Sequence, residues 1–214
     1  MYINIVAGGP AEHVPDLAEF NDNCTWIGVD RGVLLLISHG IEPAYAFGDF
    51  DSVTDEEWAL IRSRVKNIEA FRAEKDEPDM ELAVNWALEQ SAEKIRIFAG
   101  TGGRLDHFLG NVQLLLRPIL NRVNATIEII DKKNIIFAKG PGSYRIEKDE
   151  QKKYISFIPY SSAVSGLTLT GFKYPLNDRH IPLTSTLCIS NELIGDNGTF
   201  SFTKGILLVI RSND

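Results

Sequence analysis

The sequence predicts an α/β protein. An N-terminal parallel-sheet, Rossmann-like domain has helices on both faces, and a C-terminal antiparallel β-sandwich domain follows it. Three observations carry this. Up to about Pro118, short apolar runs alternate with segments of helical spacing, the pattern of strands joined by crossover helices. After about Val123 short β-rich runs follow one another, separated by turn signals at Gly140-Pro141-Gly142, Asp196-Asn197-Gly198 and Lys204-Gly205. The chain has 214 residues, 44% hydrophobic and 24% charged, an ordinary globular composition that allows a sizeable core. The boundary is expected near residues 121–126, which gives one domain over 1–123 and a second over 124–214.

Taken in order, Tyr2–Ala7 reads as a buried strand, ended by the turn Gly8-Gly9-Pro10. Glycines there suit either a plain turn or close approach of backbone to a ligand. Thr25–Val29 is the next strand, with Asp30 at its end. Arg31–Gly40 reads as a helix with Val33, Leu34 and Ile37 inward and Gly40 as terminator. Tyr45–Phe47 is a third strand. Thr54–Lys66 is an amphipathic helix in which Thr54 caps and Glu57 completes a capping box. Asn67–Phe71 is a strand, Met80–Gln90 a helix, Lys94–Ala99 a strand and Asp106–Leu116 a helix that Pro118 ends or kinks. The later strands are Thr126–Ile130, Ile135–Ala138, Ser143–Ile146, Tyr154–Pro159, Gly166–Leu169, Ser185–Ser190, Thr199–Phe202 and Ile206–Arg211.

Composition excludes several functions. A net charge of −7 argues against sequence-independent nucleic-acid binding, which relies on basic patches. Cys24 and Cys188 are far apart and form no zinc spacing, so reduced thiols and a cytoplasmic location are expected. The opening MYINIVAGG lacks a basic region and a long apolar stretch, so no signal peptide is expected. The runs Val33–Ile37 and Ile206–Ile210 fall far short of a membrane span. There is no P-loop, GxSxG elbow or HExxH pair.

The chemistry concentrates at predicted strand ends, where open parallel sheets bind ligands. Phe47–Ser52 reads FGDFDS. In an extended chain Asp49 and Asp51 would point to one face. Two carboxylates so placed suit a hard divalent cation such as Mg²⁺, although a polar turn capping the next helix would read the same way. Lys75-Asp76-Glu77-Pro78-Asp79 puts Asp76 and Asp79 on one side of a first helical turn, and equally suits a helix start with Pro78 in first position. Gly100–His107 (GTGGRLDH) has the opposite sign. Gly102 and Gly103 expose amides, a helix N-terminus lies close by, and Arg104 can grip phosphate through two bonds. Asp106 can orient Arg104 or cap the helix. His107 and Asn111 share a helical face toward the same site, and a structural hydrogen-bonding role for His107 is the competing reading. Crowded carboxylates need cations to stay ionised, and Mg²⁺ usually binds substrate phosphates too, so a phosphate-bearing ligand is expected.

These motifs together carry a family resemblance. VDRG (29–32), Pro43, FGDFDS (47–52), EKDEPD (74–79), GTGGRLDH (100–107) with Asn111, GFKYPL (171–176) and ISNE (189–192) resemble thiamine pyrophosphokinase, in order and in both halves. The resemblance implies transfer of the diphosphoryl group of ATP to the hydroxyl of thiamine, giving thiamine diphosphate and AMP. It implies a catalytic nucleotide-binding first domain and a thiamine-binding second one, in a homodimer with thiamine between subunits. Carried over by motif, Asp49, Asp51 and Asp79 would hold Mg²⁺, with Asp30, Lys75 and Asp76 beside them. Arg104 and Asp106 would serve the phosphates and the attacking hydroxyl, and Tyr174, Ser190 and Asn191 would contact thiamine. One departure is Pro78, where the family often carries a threonine whose hydroxyl is missing here. A metal-dependent nucleotide-sugar transferase and a non-catalytic nucleotide or thiamine sensor are the alternatives, since Asp-x-Asp also suits a metal–diphosphate.

Overall fold

The structure, a computed structural model, describes residues 1–70 and 77–214. The chain forms two compact units, Met1–Lys132 and Lys133–Asp214.

The first unit holds β1 (Tyr2–Val6), β2 (Cys24–Val29), β3 (Tyr45–Gly48), β4 (Asn67–Ala70), β5 (Lys94–Phe98) and β6 (Thr126–Ile130). They pair in parallel, in the order β4-β3-β2-β1-β5-β6. Strand order reverses direction between β1 and β5, which makes the carboxyl ends of these two strands a topological switch point. The helices are α1 (Gly32–Ser38), α2 (Asp55–Arg64), α3 (Asp79–Glu89), α4 (Leu105–Leu114) and the short α5 (Arg117–Leu120).

Strand β3 shows how the layers form. Its alternate side chains point to opposite faces. Ala46 packs with Val33 of α1 and Ile61 of α2 in one buried cluster, joined by Phe50 and Val65. Tyr45 and Phe47 instead meet the Trp86 ring of α3, at 4.5 and 5.8 Å between centroids. Helices therefore cover both faces, and the buried strands read as near-continuous apolar runs.

The second unit holds β7 (Asn134–Lys139), β8 (Gly142–Glu147), β9 (Tyr154–Pro159), β10 (Ala163–Thr170), β11 (Leu176–Pro182), β12 (Asn197–Phe202) and β13 (Leu207–Ser212). Antiparallel pairing gives two sets, β7-β13-β9 and β11-β10-β12-β8. Ile155 and Phe157 of β9 and Leu207 and Val209 of β13 share one core with Val164, Leu167, Leu169, Phe200 and Phe202 of the other set. Phe157 stands at its centre, 5.0 Å from the Phe200 ring and 5.4 Å from that of Phe172.

β6 pairs in parallel with β5, and the first compact unit runs to Lys132. The structure departs from the strands read in sequence at two places. Ser185–Ser190 is not a strand but a succession of turns. The missing strand is β11, whose Asn177, Asp178, Arg179 and His180 are exposed on a sheet edge. An edge strand facing water carries no apolar alternation to betray it.

Candidate active site

Strands β1, β2, β3 and β5 end where the chemistry was expected, and the backbone is unusual after three of them. Asp30 follows β2 with φ +50°, Phe50 follows β3 with φ +56°, and Ala99 follows β5 with φ +52°. Non-glycine residues seldom adopt this left-handed conformation, and such strain concentrates at functional sites.

The strain at Phe50 decides which carboxylates meet. A left-handed Phe50 breaks the extended chain that would have put Asp49 and Asp51 on one face. Its ring is instead buried against Trp58, 4.9 Å between centroids. The Asp51 N–H turns back to donate to Asp49 Oδ1 at 3.1 Å. As a result Asp49 joins Asp30 and Asp79, each offering one carboxylate oxygen, all within 4.8 Å of one another. Asp51 is exposed and lies outside this set of three. Lys75 and Asp76 fall outside the described residues.

Each member of the trio has a local reason for its place. The Asp30 N–H donates to the Phe47 carbonyl at 2.9 Å, locking the end of β2 to the end of β3. Gly48 makes the approach possible: its φ is +154°, and a Cβ there would lie 2.2 Å from Asp30 Oδ1. Asp79 is the first residue of α3, with Pro78 in the cap position and offering no side-chain cap bond. Pro78 thus precedes the helix rather than opening it. The positive end of the helix dipole favours a carboxylate at Asp79. Three oxygen donors at this spacing are the ligand chemistry of a hard divalent cation.

The glycine-rich loops are built against each other. The Gly9 N–H donates to the Ala99 carbonyl at 3.1 Å, and a Cβ on Gly9 would sit 2.2 Å from that same oxygen. At Gly102, with φ +80°, a Cβ would fall 2.0 Å from Cδ2 of His13. Both glycines thus admit protein atoms at close range. Asn111 is buried and donates to the Gly100 carbonyl at 3.1 Å, and the Thr101 hydroxyl donates to Asp131 at 2.9 Å. These bonds fix the loop that delivers Gly103 and Arg104.

Arg104 occupies the cap position of α4, and Asp106 is the second residue of that helix rather than its cap. The Arg104 guanidinium donates to Asp106 through two bonds of 3.1 and 2.6 Å, and the His107 N–H donates to Asp106 at 2.9 Å. The Arg104 hydrogen bond, helped by the His107 amide, holds the Asp106 carboxyl down at about 2, and Asp106 in turn raises Arg104. Both side chains and His107 are exposed, so a planar cation is aimed from a helix start while open to a ligand.

In the second unit, Tyr174 is 59% exposed and Ser190 is exposed, whereas Asn191 is only 2% exposed. Asn191 Oδ1 accepts from the Tyr174 and Glu192 N–H groups at 3.0 and 2.9 Å, and its Nδ2 donates to the Tyr174 carbonyl at 2.9 Å. Its amide therefore shapes the turn that presents Tyr174. Glu192 is flanked by Lys173 at 2.9 Å and Lys153 at 3.3 Å, and the Lys173 hydrogen bond chiefly lowers its pKa.

Sequence reasoning passed over Arg31 and His13. Arg31 sat within the VDRG motif, so adjacency to Asp30 was a usable signal. His13 sits in a short 3₁₀ turn (Ala11–His13), and nothing in the chain marks it as the neighbour of Gly102.

The chain resembles known proteins along its whole length. The family description "Thiamin pyrophosphokinase, catalytic domain" matches residues 17–129, and "Thiamin pyrophosphokinase, vitamin B1 binding domain" matches residues 143–207. Thiamine pyrophosphokinase of Bacillus subtilis (strain 168) is 56% identical over 213 residues, 99% of each chain. The crystal structure of thiamine pyrophosphokinase from Bacillus subtilis superposes with a TM-score of 0.95 at 55% identity, covering all of both chains. That of thiamin pyrophosphokinase from Geobacillus thermodenitrificans gives 0.91 at 49% identity, over 100% of this chain and 98% of that one. With both halves matched in order, and with the acidic trio and Arg104 on the half that aligns to the catalytic region, the chain belongs to the thiamine pyrophosphokinase family.

Proposed function

We propose that this protein transfers the diphosphoryl group of ATP to the hydroxyl of thiamine, giving thiamine diphosphate and AMP. The observation that carries the assignment is the convergence of Asp30, Asp49 and Asp79 within 4.8 Å at the ligand-binding edge of a parallel sheet. These three would hold Mg²⁺, which when bound neutralises polyphosphate charge. Asp51 follows in the same turn as Asp49, its N–H bonded to Asp49 Oδ1. Phosphoryl transfer asks little more of a protein than positioning and electrostatics.

The chain's own groups supply the rest. Arg104, aimed by Asp106, meets the phosphate oxygens as charge shifts toward AMP. Gly102, Gly103, His107 and Asn111 shape the ATP side around it. A carboxyl held at about 2 is a weak base, so Asp106 orients the guanidinium and the incoming hydroxyl, and the proton the hydroxyl loses as its oxygen bonds phosphorus leaves to solvent. On the second unit, Tyr174 supplies an aromatic face suited to a cationic ring, with Ser190 beside Asn191. Leu187, Ile189 and Ile194 are 58%, 50% and 75% exposed in the same part of the chain. Apolar exposure of this kind suits cover by a second copy, with thiamine between subunits of a homodimer. Use of ATP and two free thiols, Cys24 and Cys188, suit the cytoplasm. Among the described residues no helix is long and apolar enough to cross a membrane.

The test is the nucleotide product. Incubated with ATP, Mg²⁺ and thiamine, the protein should release AMP in step with thiamine diphosphate. Release of ADP, or turnover independent of thiamine, would overturn the assignment.

A further inference from the structure

We propose that Arg31 is a positioning residue for the metal site, fixing the turn that carries Asp49 against the strand end that carries Asp30. The inference rests on the reading of Asp30, Asp49 and Asp79 as cation ligands.

Arg31 immediately follows Asp30. Its Nη1 donates to the Ser52 carbonyl at 2.9 Å and to Glu57 Oε2 at 3.0 Å, while Nη2 donates to Glu57 Oε1 at 2.8 Å. Glu57 is already committed to the start of α2. Its Oε2 accepts from the Thr54 N–H at 3.0 Å, and its own N–H donates to Thr54 Oγ1 at 3.2 Å. Arg31, Ser52, Thr54 and Glu57 thus form one closed set of bonds, which pins the far end of the turn. The near end is pinned by the Asp30 N–H bond to Phe47 and by the close fit of Gly48 against Asp30. Residues 49–51 are strung between two anchors, and both anchors are made by the pair Asp30-Arg31.

This matters because Mg²⁺ demands near-ideal octahedral geometry at short, uniform distances. A turn able to drift would leave Asp49 out of register with Asp30. Only a planar guanidinium can bond a carboxylate through two parallel bonds and still reach the Ser52 carbonyl, and a lysine ammonium cannot reproduce that fork. Removing groups that orient ligands typically weakens metal binding by about 10–100-fold.

The test is titration of Mn²⁺ into the substrate-free full chain, followed by electron paramagnetic resonance, with melting measured in chelator. Arg31→Gln should raise the Mn²⁺ Kd by about tenfold or more. Its amides over 49–54 should exchange faster, and its chelator melting temperature should stay close to that of the wild type. Arg31→Lys should fall between. Should Arg31→Gln not fold, Glu57→Gln keeps the guanidinium, weakens the fork and should shift the Kd in the same direction. An unchanged Kd in whichever variant folds overturns the proposal. Asp49→Asn separates the two readings. If Asp49→Asn loses Mn²⁺ and Arg31→Gln does not, the positioning role fails alone. If Asp49→Asn binds like the wild type, the metal site fails and the positioning role with it.

Discussion

Asn191→Ala is the sharpest perturbation of the second unit. The side chain makes three hydrogen bonds, to both backbone groups of Tyr174 and to the Glu192 N–H, and it is 2% exposed. Each neutral bond is worth about 1 kcal/mol net, and buried groups left without partners add to the loss. The substitution should therefore cost about 2–4 kcal/mol. For a chain of this size that lowers the melting temperature by roughly 5–15 °C. Ser156→Ala supplies the internal scale, because Ser156 accepts a single bond from the adjacent Ser190 N–H at 2.9 Å. It should cost about 1 kcal/mol, a third or so of the Asn191 effect. Thermal unfolding of both variants gives the ratio, and calorimetric titration with thiamine gives the functional reading. If the Asn191 amide works by presenting Tyr174, loss of an aromatic–cation contact worth about 1 kcal/mol should weaken thiamine binding about fivefold. An Asn191→Ala protein that melts no lower than Ser156→Ala would refute the view that this amide organises the turn.

Other consequences follow from the same geometry. Asp49→Asn removes one charge from three crowded carboxylates, so melting without metal should hold steady or rise. In Mg²⁺ at a hundred times Kd the wild type should gain about 2.7 kcal/mol, and a variant gain of equal size would contradict the site. Arg104→Ala should release the Asp106 carboxyl from about 2 toward the ordinary aspartate value of about 3.9, read by carboxyl-carbon NMR. The sign is that of a depressed carboxyl. In the wild type the pair's contribution is fully present above pH ~4 and disappears as pH falls toward 2, whereas the variant, left with only the His107 amide on Asp106, should show a smaller loss in that window. Phe157→Ala empties the centre of the second core, where the ring is 1% exposed, and should cost about 3–5 kcal/mol in a urea melt with little change in slope.

The parts of this protein that were legible in sequence are those decided by neighbours in the chain. The capping box at Thr54 and Glu57 spans three residues and forms as expected. The inner strands β1, β2, β3 and β5 are largely buried, and their apolar runs need no partner to be recognised. Strand β11 is the opposite case, since only pairing with β10 makes it a strand. Leu187 and Ile189 misled for a related reason: a short apolar run was read as a strand interior, but both side chains are exposed. The site divides along the same line. Acidic and glycine-rich stretches at strand ends could be collected from the chain alone, because parallel-sheet topology sends those ends to one edge. Which acids actually meet depends on Phe50, whose left-handed backbone follows from burying its ring against Trp58 in the core between α1, α2 and the sheet. Sequence spacing paired Asp49 with Asp51, and core packing pairs Asp49 with Asp30 and Asp79. A Phe50→Gly chain, free at this backbone position but missing its anchor, should therefore keep the motif's two carboxylates and still lose affinity for Mn²⁺. Were that variant to bind the ion as tightly as the wild type, the spacing of the acids would be sufficient and the packing beneath them irrelevant to the site.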